Sequence, residues 1–327
     1  MTAKLLLVAM VVLSGPVWAQ DALPTFDDFR QIDRTRRLTG QLQTTELLKV
    51  TRMDSVLIQN TAGKFPGDAG MTFAAAELLT DWPQRRAMYE MIVSNSVPVA
   101  LRFACAAARQ GDYELALKWA QYCQERDTDN TVPWLVELWV LAQQKKPLQC
   151  ANPPHTWVTN FRDYTAEACQ ARIRLLEQAG YSPYSARRLG FKPDSDALII
   201  ARDLCKPPMD EVMRRLLLGA GESLQQHRQF LLGELIGQTL ERAAFAFGAN
   251  SENNAKVTIR TDEMESRRER LRERITDMER NVVDFATERQ MVQYFDDVLK
   301  IGEENAMRKL ASVVQSPSAP TAAPTGN

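Results

Sequence analysis

Residues 96–127, SVPVALRFACAAARQGDYELALKWAQYCQERD, decide the fold that we predict for this chain. In each half, apolar or small residues recur every three or four positions, which is the spacing of one face of an α-helix. Gly111 and Asp112 separate the two halves, and such a pair ends a helix and starts a turn. The stretch therefore predicts two helices packed as an antiparallel hairpin.

Small residues lie on the faces of the two helices that would meet. Ala104 and Ala108 belong to the first helix, and Ala116 and Ala120 belong to the second. Side chains of this size let two helix backbones approach closely. Tyr113 follows the turn directly and is large enough to wedge between the helices there.

The opening pattern of the hairpin occurs a second time. Residues 96–98, Ser-Val-Pro, recur as Thr-Val-Pro at 131–133, which is 35 residues further along, and apolar residues follow in both places. Repetition at this period is typical of helical repeat proteins, in which one hairpin buries its apolar face only against its neighbours.

The residues around the turn resemble a tetratricopeptide repeat. The run 109–116, RQGDYELA, is similar to the turn of that repeat, and the closing residues 127–130, DTDN, are similar to its end. The resemblance covers residues 96–142 and implies a protein-binding module built from helical hairpins. It implies packing roles for Ala104, Ala108, Gly111, Tyr113, Ala116, Ala120 and Cys123.

Later residues depart from the repeat pattern. Lys146 and Pro147 stand where a second copy would have its turn, and Pro153 and Pro154 prevent a regular helix from following. No run of alternating β-branched residues marks a strand. We therefore predict an all-α fold, with helical hairpins stacked as a short, irregular α-α solenoid and a long C-terminal helix after it.

The predicted organisation has six parts. They are a signal peptide (1–19), an N-terminal helical region (20–95), the repeat region (96–145), a helical region with degenerate repeats (146–250), a long heptad-patterned helix (251–315) and a disordered tail (316–327). Within the fourth part, residues 208–247 are predicted to form one helix that is interrupted at Gly221.

The C-terminal helix is predicted from a heptad seam of apolar residues that lie seven positions apart. The seam consists of Met264, Leu271, Met278, Phe285, Val292 and Leu299. The companion seam is apolar only in its middle part. The helix therefore has three possible uses: packing against the chain's own helices, forming a homodimer with a second copy, or binding another protein's helix.

The first residues have the parts of a secretory signal. Lys4 is followed by an apolar stretch from Leu5 to Leu13 and by a small-residue exit that ends at Ala19. About 20 continuous apolar residues are needed to cross a bilayer, and no later segment reaches that length. We therefore predict an exported protein, periplasmic or extracellular, that is soluble and has no membrane span after signal cleavage.

Composition excludes several classes of partner and site. Lys and Arg number 40 against 41 Asp and Glu, so the chain has no global positive charge and no nucleic-acid partner is predicted. The chain has only two His, and it contains neither a phosphate-binding loop nor a dinucleotide fingerprint. We therefore predict no catalytic residue, no metal site and no cofactor.

The five cysteines give no metal or redox motif, because no two of them are two to four residues apart. Cys105 and Cys123 fit small buried side chains. Since an exported protein meets an oxidising environment, a disulfide between Cys150 and Cys169 stays open.

An aromatic cluster is the candidate partner-binding site. Trp119, Tyr122, Trp134 and Trp139 lie in or near the repeat region, with Trp157 beyond it. Aromatic rings are favoured interface anchors, so at least one is expected to be exposed, and the alternative is that they fill the core between repeats.

These features predict an exported protein-protein interaction scaffold of the cell envelope that is not an enzyme. Two alternatives stay open. One is an envelope hydrolase with paired catalytic carboxylates on a helical scaffold. The other is a structural coiled-coil oligomer.

Overall fold

A computed structural model describes residues 23–39, 53–147, 160–192, 195–205, 211–226, 229–247, 262, 265–266, 269–270, 273 and 285–314. In these residues the regular elements are helices, and the only strand-like pairing is an isolated bridge between Asn130 and Asn160. The predicted all-α class is confirmed.

The described residues form fourteen α-helices. They are α1 (Phe26–Thr39), α2 (Ser55–Gly63), α3 (Ala69–Leu78), α4 (Trp82–Ile92), α5 (Val97–Arg109), α6 (Tyr113–Arg126), α7 (Val132–Gln143), α8 (Thr165–Gln178), α9 (Pro183–Gly190), α10 (Asp196–Asp203), α11 (Glu211–Gln226), α12 (Leu231–Phe247), α13 (Glu288–Ile301) and α14 (Glu303–Val313). A 3₁₀ turn, Val93–Asn95, follows α4.

Short polar side chains start many of these helices. The side chain of each of these residues accepts a hydrogen bond from a backbone N–H of the first turn: Asp54, Asp68, Asp81, Ser96, Ser182, Ser195 and Thr287. These caps satisfy donors that have no partner within the helix. Proline in the first turn of α4, α5, α7 and α9 adds a preset backbone angle at the same point.

The helices pack as consecutive antiparallel pairs around two central helices. Close pairs are α3 with α4, α5 with α6, α8 with α9, α11 with α12, and α13 with α14. Every residue from Val99 to Ala108 on α5 is buried, and so is every residue from Val132 to Val140 on α7. Over these residues neither central helix has a solvent-exposed face, because other helices surround it.

The stacking differs from that of a simple solenoid. In a solenoid each repeat contacts only its neighbours in sequence. Here α8 packs against α2 and α3, and α10 packs against both α5 and α7. The later helices therefore return to the earlier ones and close the array.

The predicted single helix over 208–247 is wrong. The helix runs unbroken through Gly221, and the chain leaves helical conformation at Gln229 and Phe230. Gly221 allows a close helix crossing instead of a break, because a Cβ there would lie 2.8 Å from the carbonyl oxygen of Gly237. The two helices, α11 and α12, form the most closely packed hairpin of the fold.

The C-terminal helix is also interrupted, contrary to the prediction of one long helix over 251–315. Phe285 lies in a turn and is 47% exposed, and Thr287 starts α13 with a capping box. Gly302 ends α13 with a φ of 82°, a conformation that favours glycine, so α14 folds back on α13. Of the heptad seam, Val292 and Leu299 are partly buried against the core, whereas Met264, Leu271 and Met278 lie outside the described residues.

A second, smaller core joins the two ends of the described chain. It contains Phe29 of α1, Tyr184 of α9, and Phe295 with its neighbours on α13. Two adjacent arginines of α9 join it to the two ends of the described chain. Arg187 pairs with Asp296 of α13 at 2.8 Å, and Arg188 pairs with Asp33 of α1 at 3.1 Å.

Other predicted features lie outside the described residues. They are the signal peptide 1–19, the tail 316–327, Cys150 and Trp157. Cys169 is a free, buried thiol whose Sγ lies 3.1 Å from a guanidinium nitrogen of Arg172. None of the helices in the described ranges combines the length and apolarity that a bilayer crossing needs.

Candidate protein-interaction surface

The hairpin of α5 and α6 positions the candidate site. Its small residues Ala104, Ala108, Ala116, Ala120 and Cys123 are fully buried between helices. The turn contains Gly111, whose φ of 82° is a left-handed conformation that side chains rarely adopt. Tyr113 is partly buried, and its ring meets that of Trp139 edge-on at 6.4 Å.

Two of the four candidate partner-binding aromatics are core residues. Trp134 and Trp139 are each only 6% exposed. They lie on α7, which packs against α5, α6, α10 and α11. The prediction that they bind a partner is therefore wrong, because no face of this part of α7 reaches the surface.

The other two aromatics, Trp119 and Tyr122, lie on the outer side of α6 and are partly exposed. Their rings meet edge-on with centroids 5.4 Å apart. The Tyr122 hydroxyl donates to the carbonyl of Ser94 at 3.3 Å. Cations cover both rings, with Lys118 Nζ 4.9 Å from Trp119 and Arg126 Cζ 3.8 Å from Tyr122.

A third ring, Trp82 of α4, extends this surface. Phe103 is fully buried below, with its centroid 6.0 Å from that of Trp82 and 6.2 Å from that of Trp119. Trp82 is partly buried. We call Trp82, Trp119 and Tyr122 the aromatic surface, with Phe103 as its floor.

Trp82 was not among the predicted site residues, since it lies 37 residues before Trp119 in the sequence. The two tryptophans share a neighbour because α4 and α6 both pack against α5, which carries Phe103. Near their starts, Arg86 of α4 pairs at 2.9 Å with Asp112, the residue before α6. The Pro83 that follows Trp82 at the start of α4 was the available signal, since it places Trp82 at a helix N-terminus.

Trp119 carries an energetic cost that Trp134 and Trp139 share. Its indole Nε1 is covered and has no hydrogen-bond partner. A buried donor without an acceptor costs about 1–3 kcal/mol, and such groups in native proteins call for an explanation. The rest of the ring is held by Phe103 and Tyr122, so the orientation of Trp119 is set by packing and not by its N–H.

A neighbouring face of α5 is closed by a buried ion network, whose Tyr89 stacks on Phe103 with centroids 4.8 Å apart. Arg102 of α5 donates from Nε to Oε1 of Glu77 at 3.0 Å, and Arg172 of α8 donates from Nη1 to Oε2 of Glu77 at 3.0 Å. Tyr89 donates its hydroxyl to the same carboxylate, and Arg102 also donates to Thr165 Oγ1 at 3.2 Å. This side of the hairpin is therefore filled by the chain's own helices.

The electrostatics of this network fix Glu77 as a carboxylate. Burial by itself raises the pKa of Glu77, but the charges of Arg102 and Arg172 and the hydrogen bond from Arg102 outweigh it and lower the pKa to about 2. Burial, with the negative charge of Glu77, raises the pKa of Tyr89 well above its ordinary value. The network thus has no group that titrates near neutral pH and serves to join helices.

Two other carboxyl groups have pKa values above their ordinary range. Burial raises the pKa of Asp196, which faces Arg109 at 4.0 Å, and burial also raises the pKa of Glu303. They lie on different helices, and Glu303 accepts the backbone N–H of Leu231 at 2.8 Å, so it caps the start of α12.

No His, Cys, Asp or Glu cluster within the described ranges has the arrangement of a metal site. The aromatic surface offers partly exposed ring faces and two flanking cations. The chain as a whole has no match among protein-family models, curated proteins or solved structures, so its resemblance to a tetratricopeptide repeat stays a prediction.

Proposed function

We propose that this chain is an exported protein-protein interaction scaffold of the cell envelope, and that it holds its partner on the aromatic surface. The observation that carries the proposal is a contrast in how the aromatic and charged groups of the α5–α6 hairpin are covered. Arg102 is buried by α3 and α8, whereas Trp119 and Tyr122 are large rings that stay partly exposed.

The chemistry of these rings suits an interface. Trp and Tyr supply large contact areas with few rotatable bonds, so little conformational entropy is lost when they bind. Packing against Phe103 and the hydrogen bond from Tyr122 to Ser94 already restrict the rings. The surface is thus pre-organised, which reduces the free-energy cost of association.

The cations above the rings fit the same role. Lys118 and Arg126 cover the apolar ring faces while their charged ends stay in water. A partner can displace these flexible side chains more easily than it can displace a packed apolar residue. The export of the scaffold rests on the predicted signal in residues 1–19.

Site-specific photo-crosslinking in living cells tests this proposal. A benzoylphenylalanine replaces Lys118, which is exposed beside the rings, or Gln121, which is exposed on the same helix two residues beyond Trp119. Two residues correspond to about 200° around an α-helix, so Gln121 points away from Trp119, the ring that Lys118 covers. We expect one discrete crosslinked product that contains this chain and a partner when the label is at position 118. The label at position 121 should give roughly fivefold less of that product, because it lies farther from the anchor ring Trp119.

The variant Trp119→Ala, made in the Lys118-labelled chain, serves as the second arm. It should reduce the product at least tenfold, as expected for a central aromatic anchor. Far-ultraviolet circular dichroism confirms that the variant is still helical. Equal products from positions 118 and 121, or a product that Trp119→Ala does not change, would contradict the proposal.

A further inference from the structure

The hairpin of α13 and α14 is held by less apolar burial than the core around α5 and α7. It packs in the second core, whereas the apolar residues of α5 and α7 lie in the first core and are mostly fully buried. Val298 of the hairpin is fully buried, but Tyr294 and Met307 keep 7% and 8% of their surface exposed. Ile301 and Val313 on the same hairpin are 46% and 52% exposed. Parts of a protein with little buried apolar surface open at a lower free energy than its core does.

Hydrogen bonds between two short connections tie the hairpin to α12. Gln229, before α12, donates from its side-chain amide to the carbonyls of Val298 and Leu299 at 3.3 and 3.0 Å. Its backbone carbonyl accepts the N–H of Glu303, the first residue of α14, at 2.9 Å. The side chain of Glu303 in turn accepts the N–H of Leu231, the first residue of α12, at 2.8 Å. Gln229 and Glu303 therefore satisfy helix ends on both sides, and we call these two residues the latch.

Charged groups at the edge of the hairpin keep their partners or reach water when the hairpin leaves. Lys309 pairs with Asp297 at 2.8 Å, and both residues belong to the hairpin. Arg187 of α9 loses Asp296 but keeps Glu177 of α8, which lies 2.5 Å away. The latch carboxylate, whose pKa is raised by burial, returns to water. Opening therefore leaves none of these ions buried and unpaired, which is the step that makes breaking a buried ion pair strongly unfavourable.

We propose that α13 and α14 open from the rest of the fold as one unit, and that the latch of Gln229 and Glu303 is the contact that must break. In the open state the core around α5 and α7 stays folded. The ring of Phe295 leaves those of Tyr184 and Phe191, so this aromatic cluster is exposed to water. The latch thus sets how often the second core is uncovered. This inference makes no use of the aromatic surface and goes beyond the proposed function.

Hydrogen exchange of the full chain under native conditions, followed by mass spectrometry in low urea, tests this opening. In the unaltered chain we expect the slowest amides of α13 and α14 to exchange at least roughly tenfold faster than those of α5 and α7. Their urea dependence should be shallower, because opening the hairpin exposes less surface than unfolding the whole chain. The amides of α13 and α14 should share one urea dependence, since the two helices open together.

Two variants separate opening of the hairpin from unfolding of the whole chain. Tyr89→Phe removes a hydrogen bond to Glu77 that is present in both the closed and the open state. It should leave exchange in α13 and α14 unchanged, while exchange in α5 and α7, which needs global unfolding, becomes about fivefold faster. Gln229→Ala destabilises only the closed state, so exchange in all four helices should become about fivefold faster. Gln226→Ala is the matched control, because Gln226 is exposed at the end of α11 and should change none of these rates.

Equal acceleration of all four helices by Tyr89→Phe would overturn the inference, because the hairpin would then open only when the whole chain unfolds. Different urea dependences for α13 and α14 would also overturn it, because the two helices would not form one unit. Unchanged exchange of α13 and α14 in Gln229→Ala would overturn the assignment of the latch. Crosslinking from the aromatic surface reports on a different part of the molecule, so its outcome decides only the protein-binding proposal.

Discussion

Glu77 and Arg172 are 95 residues apart in the sequence, yet Nη1 of Arg172 lies 3.0 Å from Oε2 of Glu77 in the interior. Arg172 also donates to the backbone carbonyls of Gly190 and Lys192, at 2.8 and 3.2 Å. Because Glu77 also binds Arg102, one carboxylate joins α3, α5 and α8. This pairing directs α8 onto the earlier helices and closes the array.

Replacing Glu77 should destabilise the fold strongly. Glu77→Ala leaves two buried guanidinium groups without their carboxylate, and breaking a buried pair in this way costs about 3–5 kcal/mol. Tyr89→Phe is the matched control, because it removes only one hydroxyl from the same carboxylate and should cost about 1 kcal/mol. Urea unfolding followed by circular dichroism measures both changes. A loss below 1 kcal/mol for Glu77→Ala would show that the network does not hold α8 in place.

The same carboxylate predicts a loss of stability in acid. The pKa of Glu77 falls from 4.5 to about 2 on folding, so the unfolded chain binds the proton more tightly than the folded one. The stabilisation is therefore complete above pH 4.5 and is lost as the pH falls from there towards 2; the shift corresponds to about 3 kcal/mol. Urea midpoints at half-unit intervals from pH 6 to pH 2 measure this. The variant Glu77→Gln should show a flatter profile over that window, and an equally steep profile would assign the effect to other carboxylates.

The network also shows where prediction from the sequence ends. The α5–α6 hairpin could be predicted, because its apolar spacing, its Gly111 turn and its small residues are all local. The contact of α3 with α8 could not, because the local sequence does not show which charged group Glu77, in its apolar run, would meet 95 residues later. The sequence pattern also failed to predict a helix end that depends on a single glycine. Gly302 has a positive φ, and this conformation separates α13 from α14.

For the candidate site, the sequence identified the type of residue but not its exposure. Trp119 and Trp139 both lie in helices with apolar neighbours, and the first is partly exposed while the second is buried. The difference comes from what covers each helix, because α7 is surrounded by other helices whereas one side of α6 faces solvent. Trp82 was missed for the same reason, since its place beside Phe103 depends on the packing of α4 against α5.

Replacing the glycines at the α11–α12 crossing with alanine should destabilise the fold. A Cβ at Gly221 would lie 2.8 Å from Gly237 O, and a Cβ at Gly237 would lie 2.8 Å from Gly221 O. Neither backbone atom can move without separating the helices. We expect Gly221→Ala and Gly237→Ala each to cost about 1–3 kcal/mol in urea unfolding, despite the better helix propensity of alanine.

Gly233, on the same helix as Gly237, provides the control. A Cβ at Gly233 would meet only Leu224 Cδ2, at 3.5 Å, which is an ordinary van der Waals contact. Gly233→Ala should therefore gain up to about 1 kcal/mol from helix propensity. If all three substitutions stabilise the protein, the helices cross less closely than described.

The C-terminal hairpin predicts a stability change whose size depends on pH, because Glu303 of α14 caps the first turn of α12. Its Oε2 accepts the N–H of Leu231 at 2.8 Å, and the side chain of Gln229 donates in turn to the carbonyl of Leu299 at 3.0 Å. Glu303→Ala removes the cap and should cost about 1 kcal/mol at pH 4, where the side chain contributes most. Glu303→Gln keeps an acceptor oxygen for Leu231 but carries no charge.

Glu303→Gln tests the effect of the buried charge, because it removes the charge of Glu303 and keeps the acceptor oxygen. Burial raises the pKa of Glu303 above its ordinary 4.5, although the hydrogen bonds from Leu231 and Tyr294 oppose the rise. The folded chain therefore holds this proton more tightly than the unfolded chain, so the contribution of Glu303 is largest below pH 4.5 and is lost as the pH rises through the raised pKa. Glu303→Gln should consequently be more stable than the unaltered chain at pH 7 and should lose that advantage at pH 4. The acid loss due to Glu77 is common to all three chains and cancels in the comparison. If Glu303→Gln is instead as unstable at pH 7 as Glu303→Ala, the attraction between the carboxylate and the positive N-terminal end of α12 outweighs the cost of burying its charge.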